Sequence, residues 1–320
     1  MSKNVVVIGG GTGLSVLLRG LKTFPVNITA IVTVADDGGS SGILRKELDI
    51  PPPGDVRNVL TALAEVEPLV EELFQHRFEN GSGLSGHSLG NLLLAGMTSI
   101  TGDFHQGIVA VSRVLNVRGT VLPAANQSIV LHAEMEDGSI VTGESKIPKA
   151  RKPIKRVFLT PEVIEPLPES LEAIKNADLI VLGPGSLYTS VLPNLLVPGI
   201  VEAIRASQAR KMYICNAMTQ LGETDGYSAS DHLNGLISHC GPHLVDDILI
   251  NGSIISQNVR ARYEEEIAFP VTVDHERLQD MGVNIICDDF VLEQDGQLRH
   301  NAQMVSEAIL RSGSLDVPLT

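Results

Sequence analysis

Several short loops rich in glycine, serine and asparagine carry the residues of this chain that could do chemistry. The first loop follows the apolar run Val5–Ile8 and precedes leucines at helical spacing. Glycines allow a backbone to approach a phosphate closely, and the following helix offers unpaired N–H groups and a positive dipole end. The loop therefore predicts an anion site built from Gly10, Gly11, Thr12 and Gly13.

This glycine loop lacks two nucleotide-binding patterns. The dinucleotide pattern G-x-G-x-x-G needs a third glycine, and Leu14 or Val16 stands in its place, depending on whether the pattern starts at Gly9 or Gly11. The pattern G-x-x-x-x-G-K-[ST] is also absent from the sequence. We therefore expect neither a nicotinamide cofactor nor a P-loop ATPase. A tight turn without a ligand is the alternative interpretation.

Two acidic loops could hold a metal ion. The segment 36–42 offers two carboxylates and two hydroxyls, Asp37 and Ser40 among them. The segment 53–58 adds three candidates, Asp55, Arg57 and Asn58. If Asp37 and Asp55 converge near phosphates, their like charges need a cation between them, and Mg²⁺ prefers such oxygen ligands. The alternatives are that the first loop is only a flexible Asp-Gly turn and that Asp55 only caps its helix.

Later loops repeat the same chemistry. His87 could donate to a phosphate or act as an acid or base, and Asn91 lies one helical turn further on the same face, although a lone histidine is also commonly structural. Tyr263 could support a nucleobase, and Arg299, after the Asp295-Gly296 turn, could meet a diphosphate. The remaining candidates follow predicted strands or glycine turns: Gly86, Gly183, Gly185, Ser186, Asn216 and Thr219.

Alternating strands and helices must position these loops. Short apolar runs predict strands over Val5–Ile8, Ile28–Val34, Asp178–Leu182, Met212–Cys215, Val245–Ile250, Val283–Ile286 and Asp289–Leu292. Helical spacing predicts a helical block over Val56–Ala64, Pro68–His76, His87–Ile100 and Phe104–Leu115, with a closing helix from Ala302. Asp137-Gly138 predicts a β-hairpin, and Lys146–Lys155 is interpreted as a loop or subdomain boundary. The pattern is typical of an α/β fold.

Composition excludes several classes of protein. The net charge of −14 disfavours binding to nucleic acid or to anionic membrane surfaces. The three cysteines are dispersed, which suits a reducing compartment, and no apolar stretch reaches membrane-spanning length. With no tryptophan and four tyrosines, the core must be aliphatic. We expect a cytoplasmic protein that binds neither nucleic acid nor membrane.

Six motifs, taken in order, resemble the gluconeogenesis-factor (YvcK-like) branch of the CofD superfamily, also known as UPF0052. They lie at residues 9–15, 34–42, 53–58, 86–92, 183–190 and 218–224. The resemblance implies one CofD-like α/β domain over residues 1–320, with a modified Rossmann-like, mostly parallel sheet and helices on both faces. It also implies a helical insertion at about 54–116 and a β-hairpin region at about 118–146.

The same resemblance implies a function. The resemblance is to proteins that bind UDP-sugars and that are needed for normal cell shape and for growth on gluconeogenic carbon sources. The resemblance also implies a homodimer, with Asp37 and Asp55 as the acids and with phosphate-facing loops at Gly10–Gly13, Gly86–Asn91 and Gly183–Ser186. The transferase branch moves a phospholactyl group from a nucleotide-diphosphate carrier to a deazaflavin with Mg²⁺, and it is the alternative.

Three hypotheses follow. In the first, a nucleotide diphosphate-sugar such as UDP-N-acetylglucosamine occupies a crevice at the strand carboxyl ends, with Asn216 and Thr219 on its sugar or base and Arg57 or Arg299 toward the anion. In the second, the protein is an Mg²⁺-dependent transferase. In the third, it is a protein-interaction scaffold whose loops hold no ligand.

Overall fold

The central feature of the fold is a seven-stranded parallel sheet. The computed structural model describes residues 2–294, 297–313 and 315. Its strands are β1 Lys3–Gly9, β2 Val26–Val32, β3 Thr120–Pro123, β4 Val130–Met135, β5 Ile140–Thr142, β6 Ile154–Thr160, β7 Leu179–Leu182, β8 Arg210–Ile214, β9 Asp247–Asn251, β10 Asn284–Asp288, β11 Val291–Gln294 and β12 Gln297–His300. The sheet has the order β10-β9-β8-β7-β1-β2-β3, and its neighbouring strands are parallel.

The helices flank this sheet and connect its strands. They are α1 Gly11–Leu21, α2 Gly39–Leu48, α3 Gly54–Leu63, α4 Pro68–Gln75, α5 Leu89–Thr101, α6 Phe104–Val114, α7 Pro168–Lys175, α8 Leu192–Leu195, α9 Ile200–Ala206, α10 Ala229–Cys240, α11 Gln257–Glu265, α12 His275–Asp280 and α13 Ala302–Ser312. The central strands are short aliphatic runs because helices cover the sheet, and Val5–Ile8 and Leu179–Leu182 are buried. The predicted α/β fold with a mostly parallel sheet is confirmed.

The connections between the strands of the central sheet change direction beside β1. From β1 the chain builds β2 and β3 on one side, and it later builds β7, β8, β9 and β10 on the other. In open α/β sheets, ligands bind outside the carboxyl ends of the strands at such a switch point. The loops that follow β1 and β7 therefore flank the expected site.

The helical block between β2 and β3 agrees with the predicted helices and adds one. α2 was not expected, because the segment 36–42 was interpreted as a flexible turn; that interpretation was wrong, and Ser40 lies in the first turn of α2. α5 begins at Leu89, with Ser88 as its N-cap, and not at His87. Asp55 lies in the first turn of α3, whose N-cap is Pro53, so Asp55 does not cap that helix.

A three-stranded antiparallel sheet of order β5-β4-β6 lies outside the central sheet. It contains the predicted hairpin around Asp137-Gly138. Two expectations differ from the structure: β3, inside the region expected to be a hairpin, pairs with β2 of the central sheet, and Lys146–Lys155 leads into β6 after two 3₁₀ turns. The single-domain division stays a prediction, and the Asp295-Gly296 turn lies outside the described residues.

The length and apolarity of each described helix decide whether it could span a membrane. None of these helices is both long enough and apolar enough to cross a bilayer on its own. The helical segments Leu187–Leu195 and Ile200–Ala206 reach the necessary length and apolar composition only when they are counted together, and a bend of 74° separates them.

Candidate functional site

A cavity of about 750 Å³ lies at the switch point of the sheet. Its floor is the glycine loop Gly10–Gly13 after β1, the turn Pro184–Ser186 after β7 and the segment Asn216–Leu221 after β8. Tyr263 of α11 and Arg299 of β12 lie on its far wall. Its volume lies within the range of small-molecule sites in proteins. Ten of the predicted ligand-binding residues line it: Gly10, Gly11, Thr12, Gly13, Gly185, Ser186, Asn216, Thr219, Tyr263 and Arg299.

The glycine loop needs glycine because it is packed from behind. A Cβ on Gly10 would lie 2.6 Å from a carboxylate oxygen of Asp55 and 2.7 Å from the methyl group of Thr33. Gly11 has a φ of +69°, a backbone conformation that other residues rarely adopt. A Cβ on Gly185 would lie 3.1 Å from the carbonyl oxygen of Gly10, so the turns after β1 and β7 touch each other. The two loops therefore form one continuous surface.

The N-terminus of α1 opens onto this surface without a side-chain cap. Its N-cap residue is Gly10, which has no side chain to accept from the first N–H groups of the helix. The N–H of Gly11 is taken by the carboxyl of Asp55, which lies behind the loop. The following N–H groups of a first helical turn have no partner within the helix. An anion at this place would meet both those donors and the positive end of the helix dipole.

Polar side chains form the wall after β8. The Gln220 amide donates to the Ser186 hydroxyl at 2.9 Å, and the Asn216 amide donates to the Gln220 carbonyl oxygen at 3.3 Å. Thr219 also bonds to the neighbouring chain: its N–H donates to the carbonyl of Phe269 at 2.7 Å, and its hydroxyl oxygen accepts from the Phe269 N–H at 2.9 Å. Thr219 therefore holds the segment after α11 against the cavity wall.

The far wall joins α11 to β12. The Tyr263 hydroxyl accepts from the backbone N–H of Leu298 at 2.9 Å, and Arg299, which follows directly, is exposed and lines the cavity. His300, which the sequence analysis missed, also lines the cavity. Burial lowers the pKa of His300, and its contact with the backbone of Cys215 opposes that shift only in part. A neutral imidazole therefore faces this end of the site.

Carboxylic acids close the opposite end of the cavity. Glu144 lines it, and burial together with the charges of Asp36, Asp55, Glu223 and Asp37 raises the pKa of Glu144 to about 8. Burial, and then the charge of Asp36, raises the pKa of Asp55 to about 7, against the N–H of Gly11 and the charge of Arg57. Burial also raises the pKa of Glu223 to about 7. The sequence analysis missed Glu144, which no motif marks, and did not single out Glu223, although Glu223 lies inside the motif at residues 218–224.

Asp37 and Asp55 do not meet as a pair in the way that the sequence suggested. Asp36 is the carboxylate that acts on Asp55, and the side chain of Asp37 turns away and accepts from the N–H of Ser145 at 2.8 Å. Over the described ranges, no three histidine, cysteine, aspartate or glutamate side chains are grouped to hold a metal ion. Mg²⁺ at this place stays a prediction, and the chain alone supplies too few ligands for it.

A second set of predicted residues lies in a buried polar cluster, Ser40, His87 and Asn91. Each of these side chains is at most 5% exposed. The Asn91 amide donates to the Ser40 hydroxyl at 3.1 Å, so the Ser40 hydroxyl is free to donate to Nδ1 of His87 at 3.0 Å. None of the three is among the described residues that line the cavity. The structure therefore separates them from the glycine loop with which the motifs grouped them.

The remaining predicted residues also lie away from the cavity wall. The Arg57 guanidinium is buried and donates to the side-chain oxygens of Asn58, at 2.8 Å, and Gln75, so it does not point toward an anion in the cavity. Gly86 has a φ of +85° in the loop before α5, and its carbonyl accepts from Arg77. Gly183 precedes the lining residues and has a φ of +85°. Their ligand roles stay predictions that this geometry does not favour.

Comparison with known proteins gives consistent matches over most of the chain. Residues 5–291 match the family described as "2-phospho-L-lactate transferase CofD". A "Gluconeogenesis factor" of Halalkalibacterium halodurans is 75% identical over 96% of each chain, and one of Bacillus subtilis is 60% identical over 96% of each chain. A crystal structure of a Bacillus halodurans protein is 75% identical, with a TM-score of 0.96 over 97% of this chain and 100% of that one. A second crystal structure, described as a member of the upf0052 family from the same species, has a TM-score of 0.95 over the same shares and the same identity.

Proposed function

The chain belongs to the CofD family, and from this membership we propose that it is a regulatory protein that binds a nucleotide diphosphate-sugar such as UDP-N-acetylglucosamine. The cavity at the carboxyl ends of β1, β7 and β8 is the proposed binding site. Relatives of high identity are named gluconeogenesis factors, and we extend that role to this chain. Cytoplasmic location, a part in cell shape and in growth on gluconeogenic carbon sources, and a homodimeric state belong to the same proposal.

The uncapped N-terminus of α1 is the observation that carries the proposal. It lies in the floor of a cavity large enough for a nucleotide-sugar, at the switch point where α/β sheets bind ligands. Its donors are backbone N–H groups, which bind phosphate oxygens without adding a formal charge. A diphosphate at Thr12 and Gly13 leaves the two ends of the cavity for the base and the sugar.

Charge explains why backbone donors suit this protein. The chain has 38 acidic side chains against 24 basic ones, and Glu144, Asp55 and Glu223 lie at or behind one end of the cavity. A carboxyl with a raised pKa is partly neutral near pH 7, so it repels a diphosphate less than an ordinary carboxylate does. Arg299, at the open mouth, is the cation that this wall offers to the ligand.

Titration calorimetry with UDP-N-acetylglucosamine tests the proposal. We expect saturable heat with one site per chain and competition by UDP. A wild-type protein that gives no heat at millimolar ligand contradicts the proposal. If UDP-N-acetylglucosamine gives no heat but GDP does, the site binds a nucleotide diphosphate of another class and the UDP-sugar assignment is wrong.

The transferase of the family is the second candidate, and the acids at the end of the cavity favour it. Asp36 lies close enough to Asp55 for their like charges to repel each other, and a divalent cation would offset that repulsion. These two carboxylates fit Mg²⁺ only if the ligand's phosphates supply further oxygens, which is the usual way that proteins bind this ion. When bound, Mg²⁺ would neutralise charge on the diphosphate. Asp55 would hold it, and the N–H groups of α1 would orient the phosphates.

Turnover separates the transferase from the binding protein, and heat of ligand binding separates both of them from the scaffold. A transferase predicts that Asp55→Asn lowers the rate much more than it lowers nucleotide affinity. A binding protein predicts no turnover, and any loss in this variant appears in affinity alone. A scaffold whose loops hold no ligand predicts neither heat nor turnover.

A further inference from the structure

Two hydrogen-bond acceptors on residues of the cavity wall have no partner among the described residues. Several buried side-chain atoms lack a hydrogen bond in this part of the chain, and two of them belong to residues that line the cavity, Oδ1 of Asn216 and Nε2 of His300. Leaving a buried polar atom unpaired destabilises the folded state. The two atoms therefore indicate that a group of the ligand pairs with them.

The side chain of Asn216 is held so that its oxygen is the free atom. Its amide nitrogen donates to the side-chain oxygen of Gln220 at 3.3 Å, and the amide nitrogen of Gln220 donates to the hydroxyl of Ser186 at 2.9 Å. Turning the Asn216 amide over would bring its oxygen against the Gln220 oxygen, and two acceptors cannot bond to each other. Oδ1 is therefore the atom that Asn216 offers to a ligand.

The ring of His300 is held in the tautomer that leaves Nε2 as an acceptor. It bonds to the backbone of Cys215, and this bond raises the pKa of His300, as donation from the ring to a carbonyl oxygen does. Since Nε2 is the nitrogen without a partner, Nδ1 is the donor. Burial lowers the pKa and outweighs this bond, so the ring is neutral. Cys215 directly precedes Asn216, so both acceptors belong to the same part of the wall.

These two acceptors select a donor group and exclude phosphate. Phosphate oxygens are acceptors themselves, so a diphosphate is directed to the N–H groups of α1 instead. Uracil presents its N3–H between two carbonyl oxygens, and one of these would oppose an acceptor of the wall. A ribose presents two adjacent hydroxyls, and each of them can donate. The ribose is therefore the part of the nucleotide that fits this wall best.

We infer that the two ribose hydroxyls of the ligand donate to Oδ1 of Asn216 and Nε2 of His300, which makes these residues determinants of specificity for a ribonucleotide. The inference rests on the proposed function, because it assigns one part of the proposed nucleotide. Tyr263 lines the same wall, and its hydroxyl accepts from the N–H of Leu298, two residues before His300. The order of base, ribose and diphosphate in a nucleotide then corresponds to Tyr263, the two acceptors and the N-terminus of α1.

Calorimetry with UDP and its two deoxy forms tests the assignment. We expect the wild-type protein to bind 2′-deoxy-UDP and 3′-deoxy-UDP each about tenfold more weakly than UDP, a difference of about 1.4 kcal/mol, because each lacks one donor and leaves one buried acceptor unpaired. Asn216→Leu and His300→Phe each remove one acceptor. Each variant should therefore lose the preference for UDP over one deoxy form and keep the preference over the other. Because the ligands are compared within one variant, a general loss of affinity caused by the substitution cancels.

His232→Phe is the matched control for His300→Phe. The ring of His232 is also buried, it donates from Nδ1 to the carbonyl oxygen of Ser228 at 2.9 Å, and its Nε2 has no partner among the described residues. However, His232 is not one of the described residues that line the cavity. We expect His232→Phe to keep both the wild-type affinity for UDP and the wild-type preference for UDP over its deoxy forms.

The possible failures give different results. If the wild-type protein gives no heat with UDP, the proposed function is wrong and this inference is overturned with it. If UDP binds and the deoxy forms bind equally well, only the ribose assignment is overturned. If both variants bind UDP as the wild-type protein does but bind UDP-N-acetylglucosamine more weakly, the acceptors contact the sugar, and the ribose assignment is again overturned.

Discussion

Two helices of this molecule begin after similar loops and differ in what reaches their first N–H groups. α1 follows glycines and has Gly10 as its N-cap, so the N-cap residue has no side chain to accept from the first turn, and Asp55 takes the N–H of Gly11 from behind the loop. α5 follows the glycine-rich segment 81–86 and has Ser88 as its N-cap, whose hydroxyl oxygen accepts from the N–H of Asn91. The chain itself satisfies the start of α5, whereas the start of α1 is left open to the cavity.

The difference shows that a small-residue loop before a helix is not enough to predict a ligand site. A serine at the N-cap supplies the acceptor that an anion would otherwise supply, and a glycine supplies none. His87 and Asn91 then bond to Ser40 inside the protein and do not reach the cavity. Four predictions follow from this contrast between the open start of α1 and the buried polar cluster.

Replacing Gly10 should have the largest effect. Gly10→Ala introduces a Cβ at 2.6 Å from Asp55 and 2.7 Å from Thr33, so the loop must shift away from the position in which we propose that it binds phosphate. We expect affinity for UDP-N-acetylglucosamine to fall by roughly 100-fold, about 2.7 kcal/mol, in calorimetry. Gly96→Ala is the matched control, since a Cβ there meets nothing within 4 Å, and it should leave the affinity unchanged. Equal affinities for the two variants would remove the glycine loop from the site.

Disrupting the buried polar cluster should affect stability and not binding. Ser40→Ala leaves Nδ1 of His87 without its partner in the protein interior and leaves the amide of Asn91 with only the Ser41 hydroxyl, at 3.5 Å. We expect the free energy of unfolding to fall by about 2 kcal/mol in urea denaturation, since leaving a buried polar group unpaired costs about 1–3 kcal/mol. The affinity for UDP-N-acetylglucosamine should stay within about threefold of the wild-type value. Such a change is smaller than about 1.4 kcal/mol, the free energy that corresponds to a tenfold change in affinity. A large loss of affinity with unchanged stability would place the cluster in the ligand site.

Removing the charge of Asp55 should change how stability depends on pH. The folded-state pKa of Asp55 is raised to about 7, so between its unfolded value and about pH 7 the folded protein binds more protons than the unfolded chain. The free energy of unfolding therefore falls as pH rises through this window. Asp55→Asn should lessen that fall by about 1–2 kcal/mol, because one pKa unit corresponds to about 1.4 kcal/mol at most.

The exposed carboxylate of Asp49 gives the control for this pH series. Asp49→Asn is the same substitution at the exposed end of α2, outside the acidic group behind the glycine loop. Chemical denaturation at pH 5 and pH 8 measures the slope of stability against pH. Parallel slopes for wild type and Asp55→Asn would show that Asp55 is ionised in the folded state over the whole range.

The smallest effect is expected at the far wall. Tyr263→Phe keeps the ring and removes the hydroxyl oxygen that accepts from the N–H of Leu298, so β12 and Arg299 are held less firmly. We expect about a threefold loss of affinity for UDP-N-acetylglucosamine, near the 0.5–1 kcal/mol of one ordinary hydrogen bond. An unchanged affinity would mean that this bond does not position the wall.

Sequence patterns predicted most of the architecture because apolar runs carry that information. The strands of the central sheet and the helices of the block are marked by buried aliphatic residues at their expected spacing. Helix α2 was missed because its first turn, Gly39 to Gly42, consists of poor helix formers, and packing of Leu44 against α5 stabilises it instead. β6 was missed because charged residues and a proline precede it, and its pairing with β4 is non-local.

The site was harder to predict than the fold, for a geometric reason. Asp36 and Asp37 are adjacent, and adjacent side chains on an extended backbone point to opposite sides, so spacing alone does not tell which one meets Asp55. Glu144 lies in a 3₁₀ turn between β5 and β6, His300 is the last residue of β12, and no local motif connects either of them to the glycine loop. The sequence also did not tell which helix has its first N–H groups bonded by a side chain of the protein, because that depends on the folded structure.

A structure of the protein with UDP-N-acetylglucosamine tests the central claim most directly. Crystals soaked with this ligand should show the diphosphate within hydrogen-bonding distance of the backbone N–H groups of Thr12 and Gly13, with the buried polar cluster unchanged. Either of two results would contradict the claim. One is a diphosphate bound beside His87 and Asn91, and the other is a cavity without ligand at a concentration that saturates the protein in calorimetry.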